Sequence, residues 1–310
     1  MSDELITGGE GTGPRDPEQL EATATTATAE IAPETHMGAV HLTVADLGRS
    51  IRYYQEQIGL DLVARDDGVA TLGTGGRGLL VLTELPVAPP ARGHTGLYHF
   101  ALLVPERDDL ARWLAHAARD RVTLVGLSDH FVSEALYLRD PDHHGIEIYW
   151  DRPREIWQDQ VDVRMTTEPL DVESLLGELD DPGSEPFEGL PGGTTMGHVH
   201  LQVADIDSTV GFYRDLLGFG LMAQVGDSAA FLAAGGYHHH LGANTWESRG
   251  AEPPPAGTAA LRHATIVLPD DTARGRVLER LQRAGHVTEH GEHGPAVSDP
   301  SGNRLVLSTE

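Results

Sequence analysis

The chain has 310 residues, no cysteine, 48 acidic against 22 basic side chains, and a formal net charge of −26. The length favours two domains or one duplicated unit, and the acidity makes nucleic acid an unfavourable partner. The lack of cysteine excludes disulfides, thiolate metal sites and a cysteine nucleophile. Every basic residue is arginine, and such an acidic, lysine-free composition resembles that of proteins from halophilic organisms.

The first 35 residues are rich in Gly, Thr, Ala and Glu and have no sustained apolar period. This composition predicts a disordered leader over residues 1–35. The chain contains no apolar run near the ~20 residues that span a bilayer, and no basic-then-apolar signal pattern at its start. We therefore expect a cytoplasmic protein that has no membrane partner.

An internal repeat organises the rest of the chain. The stretch Met37–Asp46 (MGAVHLTVAD) matches Met196–Asp205 (MGHVHLQVAD). Alternating apolar and polar residues predict a strand in each copy. Asp46 and Asp205 are predicted to cap the helices that follow these strands, because their carboxylates can accept the first free backbone N–H groups.

A second, more divergent pair of segments follows the same plan. Leu97–Pro105 matches Leu261–Pro269, and each is followed by a predicted helix, a turn and a strand. The chain therefore reads as four β-α-β-β-β units that start near residues 37, 95, 195 and 259, which is an α+β fold. We expect two units in a first module at residues 36–151, a linker at 152–194, and two units in a second module at 195–310.

Four such units, with His near the start of the first strand and Glu near the end of the last, resemble the vicinal oxygen chelate superfamily. That superfamily includes glyoxalase I, extradiol ring-cleaving dioxygenases and fosfomycin-resistance proteins. The resemblance implies that the βαβββ units pair into open β cups, with metal ligands on their first and last strands. Four longer stretches are similar to the bacterial catechol-2,3-dioxygenase group: Gly96–Pro105, Asp129–Asp142, Gly145–Tyr149 and Gly235–Gly242.

The resemblance also implies which units hold metal ligands. The first-strand position is His198 in unit three and His99 in unit two, and the last-strand position of unit two is Glu147. Units one and four retain only His263 at these positions. We therefore expect units two and three to pair around one complete metal site, and units one and four to pair with each other.

Three consecutive histidines lie in the second half, at 238–240. In a strand, His238 and His240 would share one face and His239 would point away. His240 lies four residues before Asn244, the spacing of a metal ligand in glyoxalase I. His240 is thus predicted to be a fourth ligand or a nearby acid/base, and a core histidine with a structural hydrogen bond is the alternative.

His99, Glu147 and His198 match the iron triad of extradiol dioxygenases. The resemblance implies an Fe(II) enzyme that inserts O₂ into a small aromatic diol, since two imidazoles and one carboxylate leave coordination positions open. The alternatives are a non-redox metalloenzyme of the glyoxalase or thiol-transferase type, using Mn(II), Ni(II) or Zn(II), and a protein that binds a small aromatic without turnover. A homo-oligomer is left open.

Two further residues are candidates for catalysis. Tyr137 lies ten residues before Glu147, the spacing of a substrate-contacting tyrosine in extradiol enzymes. His130 resembles the histidine that handles a proton in those enzymes, although its spacing to Tyr137 differs. A packed loop residue with a satisfied hydrogen bond is the alternative for both.

Five other histidines are predicted to have structural or solvent-exposed roles. His41 and His200 repeat each other, and repetition without a complete ligand set favours a structural or solvent-facing role for both. His286, His290 and His293 are expected in a solvated loop.

Overall fold

The structure, a computed structural model, describes residues 30–158, 160–184, 186–291 and 293–309. Most of the predicted leader at 1–35 lies outside the described residues. Its described end is folded, because Ile31 is buried and its N–H donates to the carbonyl of Gly218 at 2.8 Å. The prediction of disorder is therefore wrong for this short end. No helix among the described residues is both long and apolar enough to cross a bilayer.

Units two and three, with one short strand of the predicted linker, form a nine-stranded sheet, which we call the site sheet. Its strands lie in the order β11-β12-β13-β10-β5-β8-β7-β6-β9. Strands β5 to β8 come from unit two, β9 from the predicted linker and β10 to β13 from unit three: β5 Gly96–Leu103, β6 Gly126–Asp129, β7 Ser133–Arg139, β8 Gly145–Asp151, β9 Glu168–Pro169, β10 Thr195–Gln202, β11 Gly220–Val225, β12 Ala229–Ala233 and β13 Leu241–Asn244.

Units one and four form an eight-stranded sheet, which we call the second sheet. Its strands lie in the order β15-β16-β17-β14-β1-β4-β3-β2. The strands are β1 His36–Val44, β2 Asp61–Asp66, β3 Val69–Thr74, β4 Arg77–Glu84, β14 Leu261–Val267, β15 Glu289–Gly291, β16 Gly294–Ser298 and β17 Arg304–Ser308.

The two sheets are built alike. In each, the first strands of two units pair antiparallel at the centre, β5 with β10 and β1 with β14. The last strand of each unit then runs parallel to its own first strand. The predicted α+β fold and the predicted pairing of units two with three and one with four are confirmed.

The helices follow the sequence pattern closely. The carboxylates of Asp46 and Asp205 accept backbone N–H groups three residues on, as predicted for N-caps. The helices of units one and three each continue into a π-helical turn, Tyr54–Ile58 and Gly211–Leu217. The α-helices are α1 Leu47–Tyr53, α2 Arg107–Asp120, α3 Arg154–Trp157, α4 Val161–Arg164, α5 Val172–Leu176, α6 Ile206–Val210 and α7 Asp271–Arg283.

A buried hydrogen bond repeats between the two halves. The hydroxyl of Tyr54 donates to Asp140 at 2.9 Å, and the hydroxyl of Tyr213 donates to Asp299 at 3.1 Å. Each tyrosine comes from the helical segment of one unit, and each aspartate opens the Asp-Pro turn of the following unit. This repeated contact fixes the helical segment against the turn that leads into β8 or β17.

Candidate metal centre

Period-two alternation sets the chemistry of the site sheet. Phe100, Leu102 and Ile146 point into the main hydrophobic core and are fully buried. The residues that alternate with them on these strands, His99 and Glu147 among them, therefore project from the opposite face. His198 joins them on β10, so the apolar face stabilises the sheet while the other face carries the functional side chains.

Register aligns these side chains in one row across four strands. His198 is opposite Ala101, Ala101 is opposite Glu147, and Glu147 is opposite Tyr137. His99 lies two residues before Ala101 on the same face. The small side chain of Ala101 leaves room for the histidine and the carboxylate on either side to meet above it.

The three predicted triad residues converge on one point. Oε2 of Glu147 lies 2.9 Å from Nε2 of His198 and 3.0 Å from Nε2 of His99, and the two Nε2 atoms are 3.3 Å apart. Ligand atoms about 2.1 Å from a metal ion and at right angles around it are about 3.0 Å apart. The spacing therefore fits three neighbouring positions on one face of an octahedron.

Burial and mutual contact set the charges in this cluster. All three side chains are buried, with residue exposures of 6% for His99, 2% for Glu147 and 2% for His198. Burial opposes ionisation of Glu147, but its close contacts and hydrogen bonds with His198 and His99 hold its pKa well below the usual range. Burial lowers the pKa of His198. A carboxylate beside a neutral imidazole is the donor state that a metal ion requires.

Tyr137 and His130, the two predicted catalytic residues, form a hydrogen-bonded pair at the rim. The hydroxyl of Tyr137 lies 2.7 Å from Nε2 of His130, whose Nδ1 lies 2.8 Å from the carbonyl oxygen of Thr166. A carbonyl accepts only, so Nδ1 carries the proton and Nε2 accepts from the tyrosine. Both side chains line the cavity described below.

His240 does not join the cluster, which corrects the prediction that it supplies a fourth ligand or an acid/base. The group of converging ligand atoms among the described residues contains His99, Glu147 and His198. Nδ1 of His240 instead accepts the backbone N–H of Ala234 at 3.1 Å, and burial lowers its pKa to about 3. The physical reason is that residues 234–240 form a turn and β13 begins only at 241, so strand alternation does not apply.

His239, and not His240, has its ring beside the triad. Its ring lies 4.1 Å from that of His198 and lines the cavity. Its Nδ1 is 2.9 Å from Nδ1 of His238, and Nε2 of His238 is 2.8 Å from a carboxylate oxygen of Asp151. The expectation that His239 points away is wrong for the same reason. Apart from the run of three histidines, nothing in the sequence indicated that hydrogen bonds link Asp151, His238 and His239.

A cavity of about 520 Å³ opens above the triad. This volume lies within the usual range for small-molecule sites. His200 lines it, buried and directly opposite His99 in register, and burial lowers its pKa well below the usual range. Gly242 is required beside it, because a Cβ there would lie 2.8 Å from the His200 ring.

The walls of the cavity come from unit two, unit three and the predicted linker. Apolar side chains of unit three lie on one side, and the predicted linker supplies another wall through α4. The linker contribution was missed, because a short helix of mixed polarity has no period that marks a binding wall. The apolar and linker lining residues are Ala223, Val225, Phe231, Trp246, Val161, Val163 and Met165.

Comparisons with known proteins agree with this geometry. A family model described as the Glyoxalase/Bleomycin resistance protein/Dioxygenase superfamily matches residues 36–148 and 195–307. A relative from Bacillus subtilis (strain 168), named catechol-2,3-dioxygenase, is 43% identical over 273 residues, which cover 86% of this chain and 94% of the relative.

Solved structures share the fold at low sequence identity. Glyoxalase I from Zea mays aligns with a TM-score of 0.55 at 19% identity, over 88% of this chain and 92% of that one. A crystal structure from Bacillus subtilis subsp. subtilis str. 168 aligns with a TM-score of 0.58 at 14% identity, over 88% and 84% of the two chains. By fold, family model and sequence, the chain belongs to the Glyoxalase/Bleomycin resistance protein/Dioxygenase superfamily.

Proposed function

We propose that this protein is an Fe(II)-dependent extradiol dioxygenase that inserts O₂ into a catechol-like ring next to its hydroxyls. The observation that carries the proposal is the convergence of His99, Glu147 and His198 within 3.3 Å of one another at the base of a cavity. The 43% identity to a protein named catechol-2,3-dioxygenase supports the same chemistry.

The donor set fits the metal. Two neutral imidazole nitrogens and one carboxylate oxygen on one face, with the other positions open, are typical of non-haem Fe(II) oxygenases. His99, Glu147 and His198 would hold the ion. When bound, Fe(II) supplies a chelation point for both catechol oxygens and a route for electrons from the ring to O₂. Mn(II), Ni(II) or Zn(II) would suit the alternative, non-redox chemistry.

The cavity suits a flat aromatic ring. Phe231, Trp246 and Val225 give it an apolar side, while the triad and Tyr137 lie on the sheet side. Burial of an apolar ring against such walls is favourable by roughly 25 cal/mol per Å² of apolar area. The polar edge of the diol would then face the triad and the hydroxyl of Tyr137.

Tyr137 and His130 can move a proton from the substrate. The tyrosine already donates its hydroxyl proton toward Nε2 of His130, which is held in the accepting tautomer by Thr166. A substrate hydroxyl that donates to the tyrosine oxygen can therefore lose its proton along this pair. General-base assistance of this kind contributes typically 10²–10⁴-fold to a rate.

The Asp151–His238–His239 chain positions a hydrogen-bond acceptor beside the triad. A carboxylate accepts only, so Nε2 of His238 donates to Asp151, and Nδ1 of His238 accepts from Nδ1 of His239. Nε2 of His239 is then left with its lone pair. Burial lowers the pKa of His239 well below the usual range, so it stays a neutral imidazole that can accept a hydrogen bond from a substrate hydroxyl beside the triad.

The two alternative functions, an isomerase and a binding protein without turnover, have less structural support. A glyoxalase-type isomerase was motivated by His240, which is hydrogen-bonded to the backbone of Ala234 away from the triad. A binding protein without turnover would have no use for three buried metal-ligand atoms on one point. Activity that persists under strict anaerobiosis with a non-redox metal would favour the isomerase.

The proposal is tested by anaerobic reconstitution with Fe(II), followed by addition of air and a panel of substituted catechols. We expect a yellow ring-cleavage product whose formation depends on iron and on O₂. Iron-loaded protein that consumes no O₂ with any catechol of the panel would contradict the proposal. The same panel, read as rates, ranks the ring substituents that the cavity accepts.

A further inference from the structure

The second sheet carries a histidine cluster that the proposed function does not use. His41 on β1 is directly opposite His263 on β14, and their rings stack with centroids 3.9 Å apart. His293, in the turn between β15 and β16, brings its ring within 4.7 Å of His41 and 5.5 Å of His263. One nitrogen from each of the three rings lies within 4.8 Å of the others.

This grouping bears on two sequence expectations, a structural or solvent-facing role for His41 and a solvated loop for His293. His41 is buried and its ring faces two other imidazoles, so it is not solvent-facing. His293 is exposed, as expected for a loop, but its ring folds back over the centre of the sheet. Strands are about 4.8 Å apart in a flat sheet, and β16 is separated from β1 by two strands, so only a curled sheet brings these rings together.

The chemistry of the cluster is that of a ligand set. Nε2 of His263 is buried with no hydrogen-bond partner among the described residues. Burial and the neighbouring imidazoles lower the pKa of His41 to about 3, and burial lowers that of His263 to about 4. Both rings are therefore neutral and carry a lone pair, as metal coordination requires. An unpaired buried nitrogen is costly unless a ligand engages it.

The cluster differs from the triad of the site sheet. The positions equivalent to His198 and Glu147 are Ala39 and Val306 in the second sheet. The opposed pair His41–His263 instead repeats the pair His200–His99, and His293 is added from the hairpin turn. No carboxylate belongs to this group.

We propose that His41, His263 and His293 form a second metal site, which binds a divalent ion of the Zn²⁺, Ni²⁺ and Cu²⁺ class. Three imidazoles without a carboxylate favour these ions over Mg²⁺, Ca²⁺ or Mn²⁺. The ion joins the β15–β16 turn to the two central strands and so stabilises the edge of the second sheet. The nearby cation of Arg304 is offset by Glu289, at 2.7 Å.

The test is equilibrium dialysis of the full-length chain against micromolar Zn²⁺, with metal counted per chain. His293→Ala removes an exposed ligand without disturbing the core, and His263→Gln removes a buried one. His286→Ala, in the same region but outside the cluster, is the matched control. We expect each cluster variant to bind one equivalent fewer than wild type, and the control to match wild type. Because the result is a difference, it does not depend on whether the triad also binds Zn²⁺.

Thermal unfolding gives a second measurement. We expect Zn²⁺ to raise the Tm of wild type by about 2–4 °C more than that of His293→Ala. Equal metal uptake by wild type and both cluster variants would overturn the proposal. A loss in His286→Ala as large as the loss in His293→Ala would also overturn it, because it would indicate nonspecific binding by surface histidines.

Discussion

The site sheet and the second sheet share one scaffold but differ in a few side chains. Both place an opposed histidine pair on the central strands, and both fix the Asp-Pro turn with a buried tyrosine. The site sheet then has His198, Glu147 and Tyr137 where the second sheet has Ala39, Val306 and Ala296. Three substitutions therefore separate a candidate oxygen-activating site from a sheet without one, which illustrates that function lies in the site and not in the fold.

The largest expected effect comes from the matched substitutions His99→Gln and His263→Gln. The two histidines occupy equivalent positions in the two sheets. We expect His99→Gln to lose bound iron and to lower kcat/KM by about 10³-fold or more, because a metal ligand is removed. His263→Gln should stay within about twofold of wild type.

Iron content by plasma emission and oxygen uptake with catechol measure both effects. A comparable loss of activity in the two variants would contradict the claim that only the site sheet is catalytic, since it would mean that both sheets contribute to one reaction. Circular dichroism of each variant serves as the control for folding.

Tyr137→Phe tests the residue for which the second sheet has alanine. The change removes the hydroxyl that lies 2.7 Å from His130. We expect kcat to fall by about 10²-fold with iron content unchanged, because proton transfer and not metal binding is lost. The control is Tyr53→Phe, which removes a hydroxyl that donates to the carbonyl of Arg139; Tyr53 itself does not line the cavity. Unchanged kcat in Tyr137→Phe would exclude a role in proton transfer.

Asp151→Asn probes the chain that positions His239. The amide lacks the negative charge that holds the proton on Nε2 of His238. We expect about a tenfold fall in kcat, a smaller change in KM and no change in iron content. Asp227→Asn, an exposed partner of Arg249, is the control. If KM rises and kcat is unchanged, the chain shapes the pocket and does not position His239 for the reaction.

The smallest effect concerns the shared scaffold. Tyr54→Phe and Tyr213→Phe each remove one hydrogen bond to a buried carboxylate, that of Asp140 or Asp299. We expect each to lower the free energy of unfolding by about 1–3 kcal/mol, measured by denaturant titration, with little effect on activity. A loss confined to one variant would show that the two halves are not stabilised alike.

Much of the site could be predicted because a repeat and strand alternation locate side chains on sheets. The superfamily resemblance supplied the ligand positions, and the repeat located them at His99, Glu147 and His198, which lie on regular strands and share one face. The spacing of Tyr137 to Glu147 came from the same resemblance, and the two residues are opposite each other in strand register.

The features of the site that could not be predicted lie on backbone segments without a regular strand or helix period. Residues 234–240 form a turn, so the direction of each histidine is set by hydrogen bonds such as that between His240 and Ala234. His293 reaches His41 only through the curl of the second sheet. The wall formed by α4 comes from a segment that reads as a linker. Sequence spacing contains none of these long-range contacts.

The most direct test of the central claim is the stoichiometry of oxygen consumption per catechol in iron-loaded protein. The account predicts that wild type and His263→Gln consume one O₂ for each catechol cleaved, while His99→Gln consumes none above background. Oxygen uptake by His99→Gln, or a lack of uptake by wild type with iron bound, would contradict the assignment of this chemistry to the site sheet.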